Sequence, residues 1–160
     1  MAPISPKAFA LQLRIRRLAL DLRGLEVSRA YRSHASMIHF DFGPLHEWYR
    51  RDGEARYRGA CHLMVEIAAW TITRHAATLA TDASSYERID RALPGFLGRR
   101  IMCARFARRH SELRFENGLR LALSPRGTEW GPMDRLQNWV AFRETAELAL
   151  TNKGLLQLCT

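Results

Sequence analysis

The chain has 160 residues, about the length of one domain. Charged residues make up 26% of the sequence and hydrophobic residues 47%, which argues against a disordered tail, a collagen-like repeat and a membrane protein. The 25 basic residues outnumber the 16 acidic ones and give a formal net charge of +9, a balance that favours acidic partners.

The first predicted element is a helix. Ser5 is the predicted N-cap, and Pro6 takes the first helical position, where proline is favoured. An apolar stripe at helical spacing follows, formed by Leu11, Ile15, Leu18 and Leu22. The same segment also alternates apolar and polar residues, so a strand is the alternative. Charged residues interrupt it, so no signal peptide is expected at this end.

The rest of the first half is predicted to form strands. Asp41-Phe42-Gly43 is interpreted as a hairpin turn. A long strand from about residue 62 to 73 carries Trp70, which is interpreted as a core anchor. Residues 76–82 are predicted to link the two halves.

The second half opens with another predicted helix. A capping-box pattern begins it at residues 84–87, where a serine hydroxyl and Glu87 can bind free backbone N–H groups. Its apolar face contains Tyr86, Ile89 and Leu93, and a Pro-Gly pair ends it.

A hairpin is predicted around the Asn-Gly pair at 117–118. A two-residue turn would set Phe115 opposite Arg120, whereas a three-residue loop sets Leu113 opposite Leu121. The second register keeps the apolar side chains on one face, with the glycine in the left-handed region, and is therefore preferred.

Two more strand predictions complete the second half. A strand from about residue 136 to 143 carries Trp139, a second predicted core anchor. A hairpin around residues 152–154 follows it. Its predicted cross-strand pairs are Leu148 with Leu158 and Leu150 with Leu156.

An offset of 74 positions aligns the two halves. The gap-free matches are Arg14 with Arg88, Ile15 with Ile89, Arg17 with Arg91, Gly24 with Gly98, Val27 with Ile101 and Ala30 with Ala104. Trp70 corresponds to Trp139 after small insertions. These matches predict one domain made of two repeats, at about residues 5–75 and 84–160.

The predicted fold class is α+β. Duplicated helix-plus-antiparallel-hairpin units are expected to form one mostly antiparallel sheet, or two facing sheets, with the helices on one face.

Motifs for catalysis or metal binding are scarce. His39 and Asp41 share a strand face and could orient a general base or a metal ligand, although such a pair is more often solvated. Cys61-His62 lacks a second Cys/His pair at ligand spacing. We therefore predict no catalytic residue, no metal and no cofactor.

Histidines, aromatic residues and cysteines provide three further features of interest. His34 and His110 occupy equivalent repeat positions, which shared ancestry explains as well as function does. Trp48, Tyr49 and Trp130 lie in polar surroundings and are candidates for a contact surface. The three cysteines (Cys61, Cys103 and Cys159) form no disulfide pattern and predict free thiols in the cytoplasm.

Positive charge is concentrated in the second half. Residues 88–126 hold ten arginines against Asp90, Glu112 and Glu116, a net +7. Strand alternation predicts that Arg114 and Arg120 point outward, opposite the apolar face. The predicted binding residues are Arg99, Arg100, Arg105, Arg108, Arg109, His110, Arg114, Arg120 and Trp130.

The segment from Leu97-Gly98 through the run Leu113 to Leu123, followed by Trp139, resembles small uncharacterised bacterial α+β proteins. Some of these are similar to immunity proteins of polymorphic toxin systems. The resemblance covers roughly residues 85–142, and residues 10–72 show it more weakly. It implies a cytoplasmic protein that binds and blocks a partner such as a toxin, and the strong basicity argues against a nuclease partner.

These observations predict a non-enzymatic cytoplasmic binding protein of immunity-like or regulatory type, which engages an acidic protein through an Arg-rich sheet face. The alternative function is nucleic-acid binding through the same arginines. The simplest interpretation is that this face of the sheet is only solvated and binds no partner. An uncapped sheet edge would favour a homodimer. No membrane association is expected, because no run of about 18 apolar residues occurs.

Overall fold

A computed structural model describes residues 6–49, 52–107, 109–126, 137–143, 146–151 and 156–159. Two α-helices lie in this part of the chain, α1 (Pro6–Leu22) and α2 (Tyr86–Ala92), and a short 3-10 helix (Leu93–Phe96) extends α2. The strands of the first half are β1 (Val27–Arg32), β2 (Ile38–Tyr49), β3 (Ala55–Val65), β4 (Ala69–Arg74) and β5 (Ala77–Thr81). Those of the second half are β6 (Ile101–Arg105), β7 (Ser111–Phe115), β8 (Leu119–Ser124), β9 (Gln137–Arg143), β10 (Ala146–Thr151) and β11 (Leu156–Cys159).

The strands form two antiparallel sheets. Sheet 1 has the order β1-β2-β3-β9-β10-β11, and sheet 2 has the order β5-β4-β8-β7-β6. The α+β class is therefore confirmed, in its two-sheet form. Each sheet begins with three consecutive strands of one half and is continued by strands of the other half.

The helices lie against the sheets at separate places. α1 packs against β6, whereas α2 contacts β5 and β1, and the 3-10 helix contacts β1. Each helix therefore touches the first strand of the opposite half, and the predicted placement of both helices on one face is not confirmed. Among the described residues, no helix has the length and apolar character needed to cross a bilayer.

Local signals located both helices. Pro6 is the first described residue of α1, the predicted cap Ser5 lies outside the described residues, and the apolar stripe ends at the buried Leu22. The side chain of Ser85 caps α2 by accepting a hydrogen bond from the Arg88 N–H. Ile89 is buried on the predicted apolar face, whereas Tyr86 is exposed.

One buried hydrophobic cluster fills the space between the sheets. Phe96 of the 3-10 helix packs edge-on against Phe40 of sheet 1, with ring centroids 5.1 Å apart, and against Phe115 of sheet 2 at 4.9 Å. Trp70 is buried in the same cluster, as its prediction as a core anchor requires. The position of Trp139 on β9 also agrees with prediction, but its side chain lies outside the described residues.

A reciprocal set of main-chain hydrogen bonds joins the two halves. The four bonds run from Gly24 N–H to Ile101 O (2.8 Å), Gly98 N–H to Val27 O (2.9 Å), Val27 N–H to Arg99 O (2.9 Å) and Ile101 N–H to Leu25 O (2.9 Å). The four bonds form two pairs that are related by the offset of 74 positions. Within each pair, the half that donates in one bond accepts in the other. Both glycines have positive φ, at 85° and 72°, where glycine is favoured.

The predicted hairpin registers are correct in the second half. Leu113 lies opposite Leu121, and Gly118 has a φ of 69°, as the three-residue loop requires. In β10 and β11, Leu148 faces Leu158 and Leu150 faces Leu156. Their connecting turn lies outside the described residues.

Asp41-Phe42-Gly43 is not a turn, contrary to prediction. β2 continues through it, and Gly43 (φ 77°) forms a bulge that shifts the register between Phe42 and Leu45. The Gly43 N–H donates to Glu26 O at 2.8 Å. A glycine with positive φ serves a bulge as well as a turn, which is why the sequence signal was misinterpreted.

The predicted long strand and linker are also wrong. The chain bends after Val65, so that β3 lies in sheet 1 and β4 in sheet 2. This apolar stretch contains no glycine or proline that would mark the bend. The supposed linker is β5, which begins after a turn in which His75 takes a left-handed φ of 52°.

Replacing Trp70 by phenylalanine is expected to lower the free energy of unfolding by about 1–2 kcal/mol. The indole N–H donates to Ser36 O at 3.0 Å, and phenylalanine cannot make this bond. Urea denaturation of both proteins measures the change. An unchanged midpoint would show that the bond contributes nothing measurable to stability.

Candidate functional site

The outer side of sheet 2 carries Arg105, Arg114 and Arg120, three of the seven described residues in the predicted binding set. Antiparallel partners share a face, so the registers align two rows of side chains across the sheet. The rows are Arg105–Glu112–Ala122–Thr71 and Cys103–Arg114–Arg120–Thr73. We call these eight residues the Arg/Thr face.

Glu112 is the acidic member of the Arg/Thr face. Its carboxylate accepts hydrogen bonds from Arg114 and from Nε of Arg120, the latter at 2.7 Å, and His110 lies 3.6 Å away. Burial raises the pKa of Glu112, but the bonds to the two guanidinium groups outweigh that effect and lower the pKa below its usual value. The carboxylate is therefore ionised at neutral pH and partly neutralises the predicted arginine stripe.

The two guanidinium groups remain accessible despite this pairing. The side chains of Arg114 and Arg120 are 65% and 43% exposed. Arg105 and Arg109 are exposed and form no ion pair with another described residue. Three cations against one carboxylate give the Arg/Thr face a net positive charge.

The remaining predicted binding residues lie elsewhere. Arg99 and Arg100 precede β6 at the junction of the two halves, where Glu26 and Arg100 form an isolated bridge. Arg99 is half-buried, and its Nε has no hydrogen-bond partner among the described residues. His110 is exposed beside Glu112. Arg108 and Trp130 lie outside the described residues.

The outer side of sheet 1 has a different character, because it holds a buried chain of hydrogen bonds. Asp41 Oδ1 lies 2.8 Å from His62 Nδ1, His62 Nε2 lies 3.2 Å from His39 Nδ1, and His39 Nε2 lies 2.7 Å from Ser33 Oγ. Asp41, His62 and His39 are 1%, 7% and 8% exposed, whereas Ser33 is exposed. We call these four residues the relay.

One tautomer of the two imidazoles gives the relay a direction that runs from Ser33 to Asp41. In it, His62 donates from Nδ1 to Asp41, and His62 Nε2 accepts from His39. His39 consequently donates from Nδ1 and accepts at Nε2. The Ser33 hydroxyl is left as the donor to His39, which is the arrangement of a nucleophile and its base.

Asp41 is stabilised as an anion by several groups. Burial raises its pKa, but the hydrogen bonds from His62 and from the Gly59 N–H, the latter at 3.0 Å, more than compensate and lower it. Arg29 Nε lies 3.9 Å from the other carboxylate oxygen. A Cβ at Gly59 would lie 2.6 Å from Phe42 O, so glycine is required for this close approach.

His39 is held as a neutral imidazole. Burial and the neighbouring His62 lower the pKa of His39 to about 4. The ring of Tyr31 stacks on that of His39, with centroids 4.8 Å apart and planes 5° apart. This packing fixes the ring plane and leaves its Nε2 directed at Ser33.

The other sequence candidates do not join these sites. Among the described residues, no group of three His, Cys, Asp or Glu side chains is arranged to hold a metal ion. Cys61 is buried, and His62 belongs to the relay. His34 is exposed, and so is Tyr49, which was predicted to lie on a contact surface. The side chain of Trp48 lies outside the described residues.

Sequence reasoning paired His39 directly with Asp41 and missed His62 and Ser33. The structure places His62 between them, because Asp41 pairs with His62 across β2 and β3. Only the register, shifted by the bulge at Gly43, creates this link, and no spacing within the sequence encodes it.

Comparison of the chain with protein-family models, curated proteins and solved structures found no match.

Proposed function

We propose that this protein is a cytoplasmic binding protein, immunity-like or regulatory, whose Arg/Thr face engages an acidic protein. The observation that carries the proposal is the open outer side of sheet 2, where Arg105, Arg114 and Arg120 stand against the single carboxylate of Glu112. Such a surface steers an acidic partner and orients it on contact.

The neighbouring side chains favour a protein over single-stranded nucleic acid. Thr71 and Thr73 flank the arginines with short hydroxyl groups, and the eight residues of the Arg/Thr face include no aromatic ring. Sheets that bind single strands stack bases on aromatic side chains. Planar guanidinium groups can instead bind the carboxylates of an acidic protein in a bidentate manner.

The state of the cysteines supports a reducing compartment. Cys103 is an exposed free thiol on the Arg/Thr face. Free thiols of this kind are usual in the cytoplasm, where disulfides are rare.

We also infer that the two halves arose by duplication. The reciprocal hydrogen bonds at Gly24 and Gly98 support this inference, since each bond has its counterpart 74 positions away. The strand orders support it as well, because β1-β2-β3 is continued by β9-β10 in sheet 1, as β6-β7-β8 is continued by β4-β5 in sheet 2. In a tandem repeat, the two copies can bury against each other the surface that two identical subunits bury in a symmetric dimer.

Charge reversal at Arg105→Glu with Arg109→Glu is expected to weaken partner binding by about tenfold or more, equivalent to about 1.4 kcal/mol. Both side chains are exposed, and Arg105 lies opposite Glu112 without forming an ion pair with it, so circular dichroism must show that the variant keeps its fold. The partner is captured from native lysate on the wild type, identified by mass spectrometry, purified, and titrated against each variant.

The matched control is Arg14→Glu with Arg17→Glu on α1, which changes the net charge equally at exposed positions. It should leave the affinity nearly unchanged. Equal affinity of the wild type and the Arg105/Arg109 variant would reject the proposal, as would the absence of any reproducible acidic partner.

Gel retardation with DNA and RNA tests the alternative that the Arg/Thr face binds nucleic acid. A retarded complex that weakens steeply between about 50 and 200 mM salt, and that disappears with the Arg105/Arg109 variant, would replace the acidic protein by nucleic acid.

A further inference from the structure

We propose that the relay makes Ser33 a nucleophile for acyl transfer, with His39 as its general base and with His62 and Asp41 as positioning residues. This activity is separate from partner binding, because the relay lies on sheet 1 and the Arg/Thr face lies on sheet 2.

The first argument is the gradient of burial along the relay. The carboxylate of Asp41 and both imidazoles are shielded from water, whereas the serine at the far end is exposed. A relay that served only to satisfy buried polar groups could end at a buried acceptor or at water. This one ends at the side chain that a substrate can reach.

The second argument is geometry. The distance of 2.7 Å from Ser33 Oγ to His39 Nε2 allows direct proton transfer. The stacked Tyr31 ring restrains His39, and the Gly59 N–H restrains Asp41. The base is thus held in place before a substrate arrives, and its low basicity keeps Nε2 unprotonated at neutral pH.

The loop after Ser33 offers donors for a developing oxyanion. The main-chain N–H groups of His34, Ala35 and Ser36 donate no hydrogen bond to any described residue. Ala35 has a left-handed φ of 49°, which turns the chain sharply beside the serine. Backbone N–H groups are a common source of oxyanion stabilisation.

The proposed reaction is transfer of an acyl group from an ester. Ser33 Oγ bonds to the carbonyl carbon while its proton moves to His39 Nε2. The bond from carbon to the leaving alkoxide breaks, and His39 returns the proton to that oxygen. Water then attacks the acyl-serine by the same route, which releases a carboxylic acid and restores Ser33. The class of substrate is an ester whose carbonyl carbon can reach the exposed serine.

The test uses the full chain and a fluorophosphonate, which bonds through phosphorus to an activated serine oxygen and releases fluoride. Peptide mass spectrometry follows modification at each serine with time. Ser33 is expected to react selectively, and Ser36 in the same loop is an internal control that requires no substitution. Absence of modification at Ser33 in the folded wild type would overturn the proposal.

Variants separate catalysis from folding, which circular dichroism monitors. Ser33→Ala should abolish the modification and Ser36→Ala should leave it unchanged. His39→Gln should slow it by about 100-fold, within the usual range for a general base. If folded His39→Gln reacts at the rate of the wild type, the proposal fails.

Asp41→Asn tests the role of a positioning residue. In the wild type the rate should fall as acid protonates His39, which is faced by His62, Asp41, Tyr31 and Arg29. Asp41 favours that protonation, so its neutral replacement should move the midpoint to lower pH as well as reduce the rate. An unchanged midpoint in the folded variant would remove Asp41 from the relay.

Discussion

Replacing Phe96 by alanine is expected to lower the free energy of unfolding by about 3–5 kcal/mol. The side chain is fully buried and packs edge-on against Phe40 of one sheet and Phe115 of the other. Alanine would remove both aromatic contacts and leave a cavity where sheet 1, sheet 2 and the 3-10 helix meet. Urea denaturation followed by circular dichroism measures the loss, which is a large part of the stability of an ordinary domain.

Phe9→Ala on α1 is the matched control, because the same atoms are removed from a side chain that is 55% exposed. It should change stability by less than about 0.5 kcal/mol. Similar losses in the two variants would mean that Phe96 does not hold the sheets together.

Acidification from pH 7 to pH 4 is expected to lower the free energy of unfolding by up to about 3 kcal/mol through His39 alone. The pKa of His39 is about 4 in the folded protein and about 6.5 in the unfolded chain, so the unfolded chain binds the proton more tightly. The stabilising contribution of neutral His39 is therefore fully present above about pH 6.5, and it is lost as the pH decreases toward 4. Asp41, whose pKa is also lowered, adds a further loss in stronger acid.

Chemical denaturation at several pH values tests this dependence, with His39→Gln as the comparison. The groups that face His39 are His62, Asp41, Arg29 and Tyr31, and all of them remain in the variant. The stability curve of the variant should be flatter between pH 7 and 4. Parallel curves would show that another group controls acid sensitivity.

Sequence analysis predicted the elements whose causes are local. The hairpin at residues 117–118 follows from an Asn-Gly pair between apolar strands, and the register of Leu113 with Leu121 follows from keeping one face apolar. The apolar stripe of residues 11–22 and the serines at 84–85 marked the two helices for equally local reasons.

Features that depend on distant residues could not be predicted. Nothing between Val65 and Ala69 marks the change from one sheet to the other, since the bend is set by packing on both sides. Gly43 was recognised as a special position, but whether it forms a turn or a bulge depends on the length of the hairpin beyond it.

The same distinction applies to the sites. Strand alternation placed Arg114 and Arg120 outward, as the structure has them, but their common partner Glu112 depends on the packing of three side chains on two strands. The relay joins Ser33 from the loop after β1, His39 from β2 and His62 from β3. A one-residue shift of register would separate them.

The exchange of strands between the halves has a consequence for synthesis of the chain. Sheet 1 receives its fourth strand only after Arg143 has left the ribosome, so the N-terminal half must wait with an open apolar edge while the remainder is translated. Neither half alone contains a complete sheet, and fragments cut between them would be obligate partners rather than independent domains. Until its last strands arrive, a nascent chain of this kind is exposed to aggregation through its unpaired strand edge.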